Sequence, residues 1–375
     1  MHLAFFVIPV IVMIPILIYL YIWFNRFLTL IPRIHDRLRH GLAALLASAS
    51  ACLCWPIYRT GGVVISHFLV SSLLMELIHL IIKKKNHGGI PRVWSFLYRS
   101  GILSAAVVAA VFTYGYINMQ TVYERSYEIA SEKVQRDMKF AAISDLHLGT
   151  NMDTDKLSGC LDGISSKTPD ALLLVGDIFD ESTGRDEMKR AAQLFGQVKS
   201  TFGTYYVLGN HDPNRYVKEK QYTEEEMCQI LSEAGVHVLQ DETAVLDGLT
   251  IIGRRDASAV SRQETKELTA RGIPSQFTLL LDHQPLGLQD NADAGVDLQI
   301  SGHTHAGQIW PTGKLMELLG VSEMNYGYKM IDTMNMIVTS GIGGWGYPIR
   351  TGGHCEYVII DVKKEKRISP TAGLN

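Results

Sequence analysis

The sequence predicts an α/β domain preceded by an all-α, four-helix transmembrane region. Three observations lead there. From about residue 139 onward, short apolar runs alternate with helix-like stretches, the pattern of an α/β sheet. Each run ends in Asp, His, Asn or Gly, residues that leave a strand and turn toward solvent. The first third instead holds four long apolar stretches, 3–24, 41–58, 62–82 and 101–119, each near the roughly 20 residues that cross a bilayer.

The averaged composition conceals that division. A net charge of −3 and a mean hydropathy of +0.08 look neutral because a polar domain dilutes an apolar one. Pro9, Pro15 and Pro56 would interrupt soluble helices but are tolerated in membrane ones. Basic residues set the expected orientation. Arg26, Arg33, Arg37 and Arg39 follow the first stretch, and Lys83, Lys84, Lys85, Arg92 and Arg99 follow the third, whereas Arg59 stands alone between the second and third. The first and third loops are therefore expected to be cytoplasmic, with both termini and the C-terminal domain outside the cytoplasm. Positive charge after the first stretch, with only His2 before it, is opposite to a cleaved signal peptide. Glu76 and His79, three apart on one helix face, are costly in lipid; they are expected to pair with each other or to line a polar cavity. Cys52 and Cys54 fall in the second stretch, and Cys160, Cys228 and Cys355 make an odd count with no disulfide framework.

Residues 120–137 carry charges of both signs and read as a short stalk, helical or extended. The expected organisation is 1–119 transmembrane region, 120–138 stalk, 139–363 catalytic domain and 364–375 tail. So short a stalk would keep an active site near the membrane surface, which favours an amphiphilic substrate over a diffusible one.

The runs 138–143, 171–175, 204–208, 277–281 and 297–300 lead into Asp145-Leu146-His147, Gly176-Asp177-Ile178-Phe179-Asp180, Gly209-Asn210-His211-Asp212, Asp282-His283-Gln284-Pro285 and Gly302-His303-Thr304-His305. Groups at the carboxyl ends of strands share one crevice. Carboxylates and imidazoles gathered there would repel or stay unpaired without a cation. Oxygen and imidazole donors without Cys favour Mn, Fe or Zn, and the donors outnumber what one tetrahedral ion can use, so two divalent ions fit better. Five of the seven histidines beyond residue 139 fall in these blocks; His237 and His354 are left over as ordinary histidines. Asp153, Asp155 and Asp162 read as solvated, and Asp212 as either a partner for a ligand or a turn former before Pro213.

These blocks, in this order, resemble the calcineurin-like metallophosphoesterases, with family-like sequence over about 139–361. Gly302-His303-Thr304-His305-Ala306-Gly307-Gln308 and the Gly-rich stretch 341–350, ending in Pro348-Ile349-Arg350, are similar to the bacterial membrane-anchored or secreted branch. The resemblance implies a sandwich of two β-sheets flanked by helices. It implies that Asp145, His147, Asp177 and His305 hold one metal and Asp177, Asn210, His283 and His303 the other, with Asp177 and a hydroxide nucleophile bridging them. It further implies that His211 is the general acid, oriented by Asp180.

The departures carry information. The phosphoprotein phosphatase branch has Arg directly after the second Asp of Gly-Asp-x-x-Asp, where this chain has Glu181, which speaks against phosphoprotein substrates. Ala306 replaces a Gly common in the similar branch, and Gly353-His354-Cys355-Glu356 stands where many relatives carry a Pro-rich turn. Arg350, Arg254 and Arg255 are the candidates for gripping substrate phosphate, because a guanidinium contacts phosphate in two places. The expected function is a multi-pass membrane phosphoesterase acting on phosphodiester or pyrophosphate bonds, with lipid-linked envelope substrates favoured. The alternatives are a sensor or scaffold that binds a phosphorylated ligand, and a lipid carrier with an accessory hydrolase. The bilayer and a phosphate ester are the expected partners, no nucleic acid is expected, and the oligomeric state is left open.

Overall fold

The structure, a computed structural model, describes residues 2–53, 60–87 and 89–365. Cys54, Pro56, Arg59 and most of the expected tail lie outside the described residues. The chain divides into two compact units, Met1–Tyr114 and Gly115–Asn375.

The first unit is helical. It comprises α1 (His2–Leu28), α2 (Asp36–Leu53), α3 (Thr60–Lys85), α4 (Arg92–Ser100) and the start of α5 (Ile102–Gln120). Among the described residues, α3 and α5 are long and apolar enough to cross a membrane, and Met13–Leu28 is a shorter apolar helix. Of the four crossings expected, these two helices are the candidates found among the described residues. α2 does not qualify, because Asp36, Arg37, Arg39 and His40 occupy its first turns. α4 was expected as loop; nine residues mixing Arg92 and Arg99 with Trp94, Phe96 and Leu97 are too few to show helical periodicity clearly.

Glu76 and His79 do not pair with each other. Glu76 accepts from Tyr19 (3.2 Å), Arg26 and Tyr98, while Nδ1 of His79 accepts from the Trp94 indole (3.1 Å) and its ring stacks on Tyr98 at 3.8 Å. Each acidic or basic group therefore finds its partner on a neighbouring helix.

The second unit is a sandwich. Its first sheet runs in the order β1 (Val122–Ser131), β12 (Cys355–Lys364), β2 (Met138–Ile143), β3 (Ala171–Val175), β4 (Thr204–Val207) and β5 (Val236–Val238). The second runs β10 (Gly327–Ile331), β11 (Met334–Val338), β9 (Leu298–Ser301), β8 (Phe277–Leu281), β7 (Leu249–Gly253) and β6 (Glu242–Leu246). The period of two along each strand sorts the side chains. Phe140 and Ala142 of β2 join Leu173, Val207, Phe277, Leu279 and Ile337 between the sheets. Ala141 and Ile143 face the other way and pack with Leu157 and Leu161 of α6 (Thr154–Ser166), Phe195 of α7 (Arg185–Gly196) and Leu231 of α8 (Glu224–Glu233). The outer face of the second sheet is covered by α9 (Thr265–Thr269) and α10 (Leu288–Asp293) through Leu268 and Ala292; α11 (Thr312–Leu318) follows later in the chain. Each fully buried Leu, Ile or Phe contributes about 1.5–3 kcal/mol.

Part of the expected stalk is sheet. Residues Val122–Ser131 pair in parallel with the whole of β12, from Val122 opposite Cys355 to Ser131 opposite Lys364, and only Thr121 separates this strand from α5. An edge strand tolerates outward charges, so Glu124, Arg125 and Glu128 gave it the composition of a linker.

Candidate metal centre

β2, β3, β4, β8 and β9 end side by side, and the loops beyond them bring the expected donors together. Ligand atoms of Asp145, His147 and His305 lie within 4.8 Å of one another, as do those of Asp177, His283 and His303. Asp177 links the groups, with Oδ2 3.1 Å from Nε2 of His283 and 3.9 Å from Nε2 of His147. Asn210 is buried beside them, and its backbone neighbour His211 donates its amide to Oδ1 of Asp177 at 2.8 Å.

Close approach dictates the glycines. A Cβ on Gly209 would sit 2.2 Å from Oδ1 of Asp177, and one on Gly302 would sit 2.2 Å from Oδ2 of Asp145. The backbone is also strained. Asp145, His147, Asp177, His303 and His305 all adopt positive φ, between 44° and 71°. Such conformations cost about 1–3 kcal/mol each and persist only where the surroundings enforce them, as functional sites do.

Whether these residues suit metal ions is tested by what their polar atoms lack. Nε2 of His147, Nδ1 of His305 and Oδ1 of Asn210 are buried without a hydrogen-bond partner among the described residues, and Nε2 of His283 is buried facing the Asp177 carboxylate. Orphaned atoms of this kind are costly unless something fills them. The opposite ring nitrogens are engaged: Nδ1 of His283 meets the Val175 carbonyl at 2.8 Å and Nδ1 of His147 meets Asp180 Oδ2 at 3.2 Å. An N–H at Nδ1 leaves the lone pair at Nε2, the tautomer that a metal requires. The donor set therefore fits two divalent ions.

Charge in the cluster is lopsided. Burial alone would raise the Asp177 carboxyl, but His283, His147 and His211 outweigh it and hold it well below the usual carboxylate range. Burial pushes His305 well down, with His147 and Arg350 adding to the effect, and it lowers His303 with help from His283. Neutral imidazoles are the form that binds metal; His283 runs the other way, since burial would lower it but the Asp177 carboxylate prevails and raises it well above its ordinary value.

Asp212 proves to be a buttress rather than a simple turn former. Its carboxylate accepts the backbone N–H groups of Asp177 (2.8 Å), Phe179 (2.9 Å) and Gly209 (2.6 Å) and the Tyr206 hydroxyl (2.5 Å), tying two ligand loops together. Burial and the charge of Asp177 push it up to about 6.

The expected Asp180–His211 pair does not form. Asp180 turns instead to His147, Thr150 and Ser182; burial would raise its carboxyl, but His147 and Ser182 hold it below its ordinary range. Nδ1 of His211 lies 3.0 Å from Glu181 Oε2. Burial lowers the His211 pKa, but Glu181 and Asp177 prevail and the net shift is upward. The rings of Tyr216 and Trp345 stand 4.9 and 5.8 Å from that of His211. In the sequence Glu181 stands out for the arginine it replaces, and an acidic residue one position past Asp180 is the signal for its second role.

Two of the three arginines are occupied elsewhere. Arg350 is 0% exposed and donates to the carbonyls of His305 (2.8 Å), Ser340 (3.0 Å) and Gly343 (2.7 Å), so it braces the loop that was expected to present it. Arg254 is bound to Asp282, Asn291 and the Gln263 carbonyl, whereas the Arg255 side chain is 42% exposed, with its Nε 3.9 Å from Asp241 Oδ2. A cavity of about 550 Å³ lies among Arg254, Arg262, Lys266, Asp290 and Asn291, and its lining includes none of the expected metal ligands.

Residues 138–307 match the family model described as calcineurin-like phosphoesterase. A Helicobacter pylori protein described as a metallophosphoesterase is 32% identical over 225 residues, which is 58% of this chain and 58% of that protein. A zebrafish (Danio rerio) protein described as a transmembrane protein with metallophosphoesterase domain is 28% identical over 290 residues, covering 71% of this chain and 63% of the relative. The chain thus spans less than two-thirds of the length of either relative. A solved dimetal phosphatase from Danio rerio is 12% identical with a TM-score of 0.35, covering 54% of this chain and 87% of that one. The block order, the convergent donors and the family match agree: this chain carries a calcineurin-like metallophosphoesterase domain.

Proposed function

We propose that the protein is a membrane-anchored phosphoesterase, dependent on two divalent metal ions, that hydrolyses phosphodiester or pyrophosphate bonds. The carrying observation is the pair of three-residue clusters joined at Asp177, with donor atoms on His147, His305 and Asn210 that have no partner among the described residues. Asp145, His147, Asp177 and His305 would hold one ion and Asp177, Asn210, His283 and His303 the other. Such ions, when bound, lower the pKa of a water and neutralise charge on phosphoryl oxygens.

The remaining work belongs to side chains. Glu181 fixes Nδ1 of His211, which leaves Nε2 to deliver a proton to the departing alkoxide. Asp180 and the Val175 carbonyl orient His147 and His283, and Asp212 holds the loops of Asp177 and Asn210 in register. Glu181 also puts a carboxylate beside the acid, where it repels a dianionic monoester more than a monoanionic diester.

Membrane residence is supported by the length and composition of α3 and α5 and by the transmembrane description of the zebrafish relative. Multiple crossings, an extracytoplasmic domain and lipid-linked substrates of the envelope complete the reading, drawn from the loop charges and the single residue between α5 and β1.

Metal analysis with hydrolysis of bis-p-nitrophenyl phosphate tests the core of this. The wild type should carry two ions per chain and turn the diester over. Asp177→Ala should lose both metal and turnover. A wild type that binds metal yet hydrolyses neither this ester nor a pyrophosphate would favour a ligand sensor instead.

A further inference from the structure

We propose that the segment just beyond the ligand His305, together with the loop that carries Trp345, forms an apolar rim that docks on the lipid surface of the membrane. Leu315 and Leu318 of α11 and its C-cap residue Leu319 follow the i, i+3, i+4 spacing that places side chains on one helix face. That face would normally be buried. Here Leu318 is 81% and Leu319 74% exposed, with Trp310 at 64% and Val321 at 63% on either side. Large apolar side chains left exposed this close together in sequence mark a binding surface, and tryptophan is favoured at membrane interfaces.

The rim is fastened to the candidate metal centre. Gln308 donates to the Trp345 carbonyl at 3.0 Å and accepts from the Trp345 amide at 3.0 Å, so the start of the α11 segment and the Trp345 loop move as one piece. The Trp345 ring lies 5.8 Å from that of His211.

A bilayer is the occupant that the chain itself supplies. The last turn of α5, a helix of membrane length, packs on the same loop: Asn118 donates to the carbonyls of Arg350 and Gly353 at 2.9 Å each. A Cβ on Gly344 would meet Met119 at 2.3 Å. The loop bearing Trp345 is therefore anchored to the end of an apolar helix. A substrate with acyl or polyprenyl chains could leave those chains in lipid while its phosphate reaches the metal ligands. The inference rests on the membrane reading above but not on catalysis.

The test uses the full chain in vesicles of phosphatidylethanolamine and phosphatidylglycerol. Leu318, or in a second variant Leu319, is replaced by a photoreactive benzophenone amino acid. Leu73, exposed on α3, and Val260, exposed on the second unit, serve as references. Irradiation should add the mass of one phospholipid at Leu318 and Leu319, as at Leu73, and not at Val260. Lipid capture at Leu73 alone overturns the rim while sparing the membrane reading. Absence of capture at all three sites overturns both. Cross-linking of Leu318 and Leu319 to a second copy of the chain would make the face a dimer contact and overturn the lipid assignment.

Discussion

Glu181 Oε2 stands 3.0 Å from Nδ1 of His211, while its neighbour Asp180 reaches Nδ1 of His147 at 3.2 Å. Two consecutive acidic residues thus orient two histidines with different duties, one proposed to donate a proton and one proposed to hold metal. Their conservative variants should separate. Glu181→Gln is expected to slow diester turnover about 10–100-fold with metal content unchanged, whereas Asp180→Asn weakens metal retention by a similar factor. Atomic absorption beside steady-state kinetics checks both; metal loss in Glu181→Gln would contradict the division.

Arg350→Ala should behave as a folding variant. It removes a fully buried guanidinium that supplies three carbonyls, and hydrogen bonds to a charged group are worth about 1.5–3 kcal/mol each. We expect a stability loss of about 3 kcal/mol or more in denaturant titration. A stable variant with only a raised KM would restore Arg350 as a substrate contact.

Ala306 sits at φ 51°, a left-handed conformation that an L side chain occupies at a cost of about 1–2 kcal/mol. Ala306→Gly should therefore raise stability by about 1 kcal/mol, read as a higher Tm with metal content unchanged. The Gly of the similar family branch at this position has its explanation in that backbone angle.

Asp170 gives a pH signature far from the ligand loops. Burial opposes its charge, but Arg136 (2.7 Å), the Lys139 amide (2.8 Å) and Thr201 (3.0 Å) prevail and depress its pKa in the folded chain. A depressed folded pKa means that its stabilisation is present above the unfolded value of about 4 and is lost as pH falls through the folded one. Asp170→Asn should cost about 2 kcal/mol near neutrality, and the gap to wild type should close in acid. Urea titrations at several pH values would show it; a gap independent of pH would assign the loss to packing.

How much of this was legible in the sequence depended on whether the information was local. The ligand blocks were, because Asp, His and Asn at the ends of apolar runs advertise a crevice before any pairing is known. The partner of His211 was not: Asp180 and Glu181 are adjacent, and only the turn after Phe179 decides which carboxylate faces which imidazole. Arg350 misled because a Gly-rich loop can equally present a side chain or wrap around it. Residues 122–131 were misread because their pairing with β12 lies at the far end of the chain, and their outward charges copy the composition of a linker. Membrane-length helices were legible from apolarity, but charges at the start of α2 and the short α4 blurred the count.

The parallel union of β1 with β12 has a practical corollary. A fragment cut at residue 138, where the family match begins, would discard the strand that shields β12 and leave its backbone groups unpaired. Such a truncation should aggregate, whereas one beginning before Val122 keeps the sheet closed. During synthesis the same strand must wait, unpaired, until residues 355–364 have left the ribosome. The second unit is thus closed by two strands that stand on either side of nearly all of its other elements in sequence.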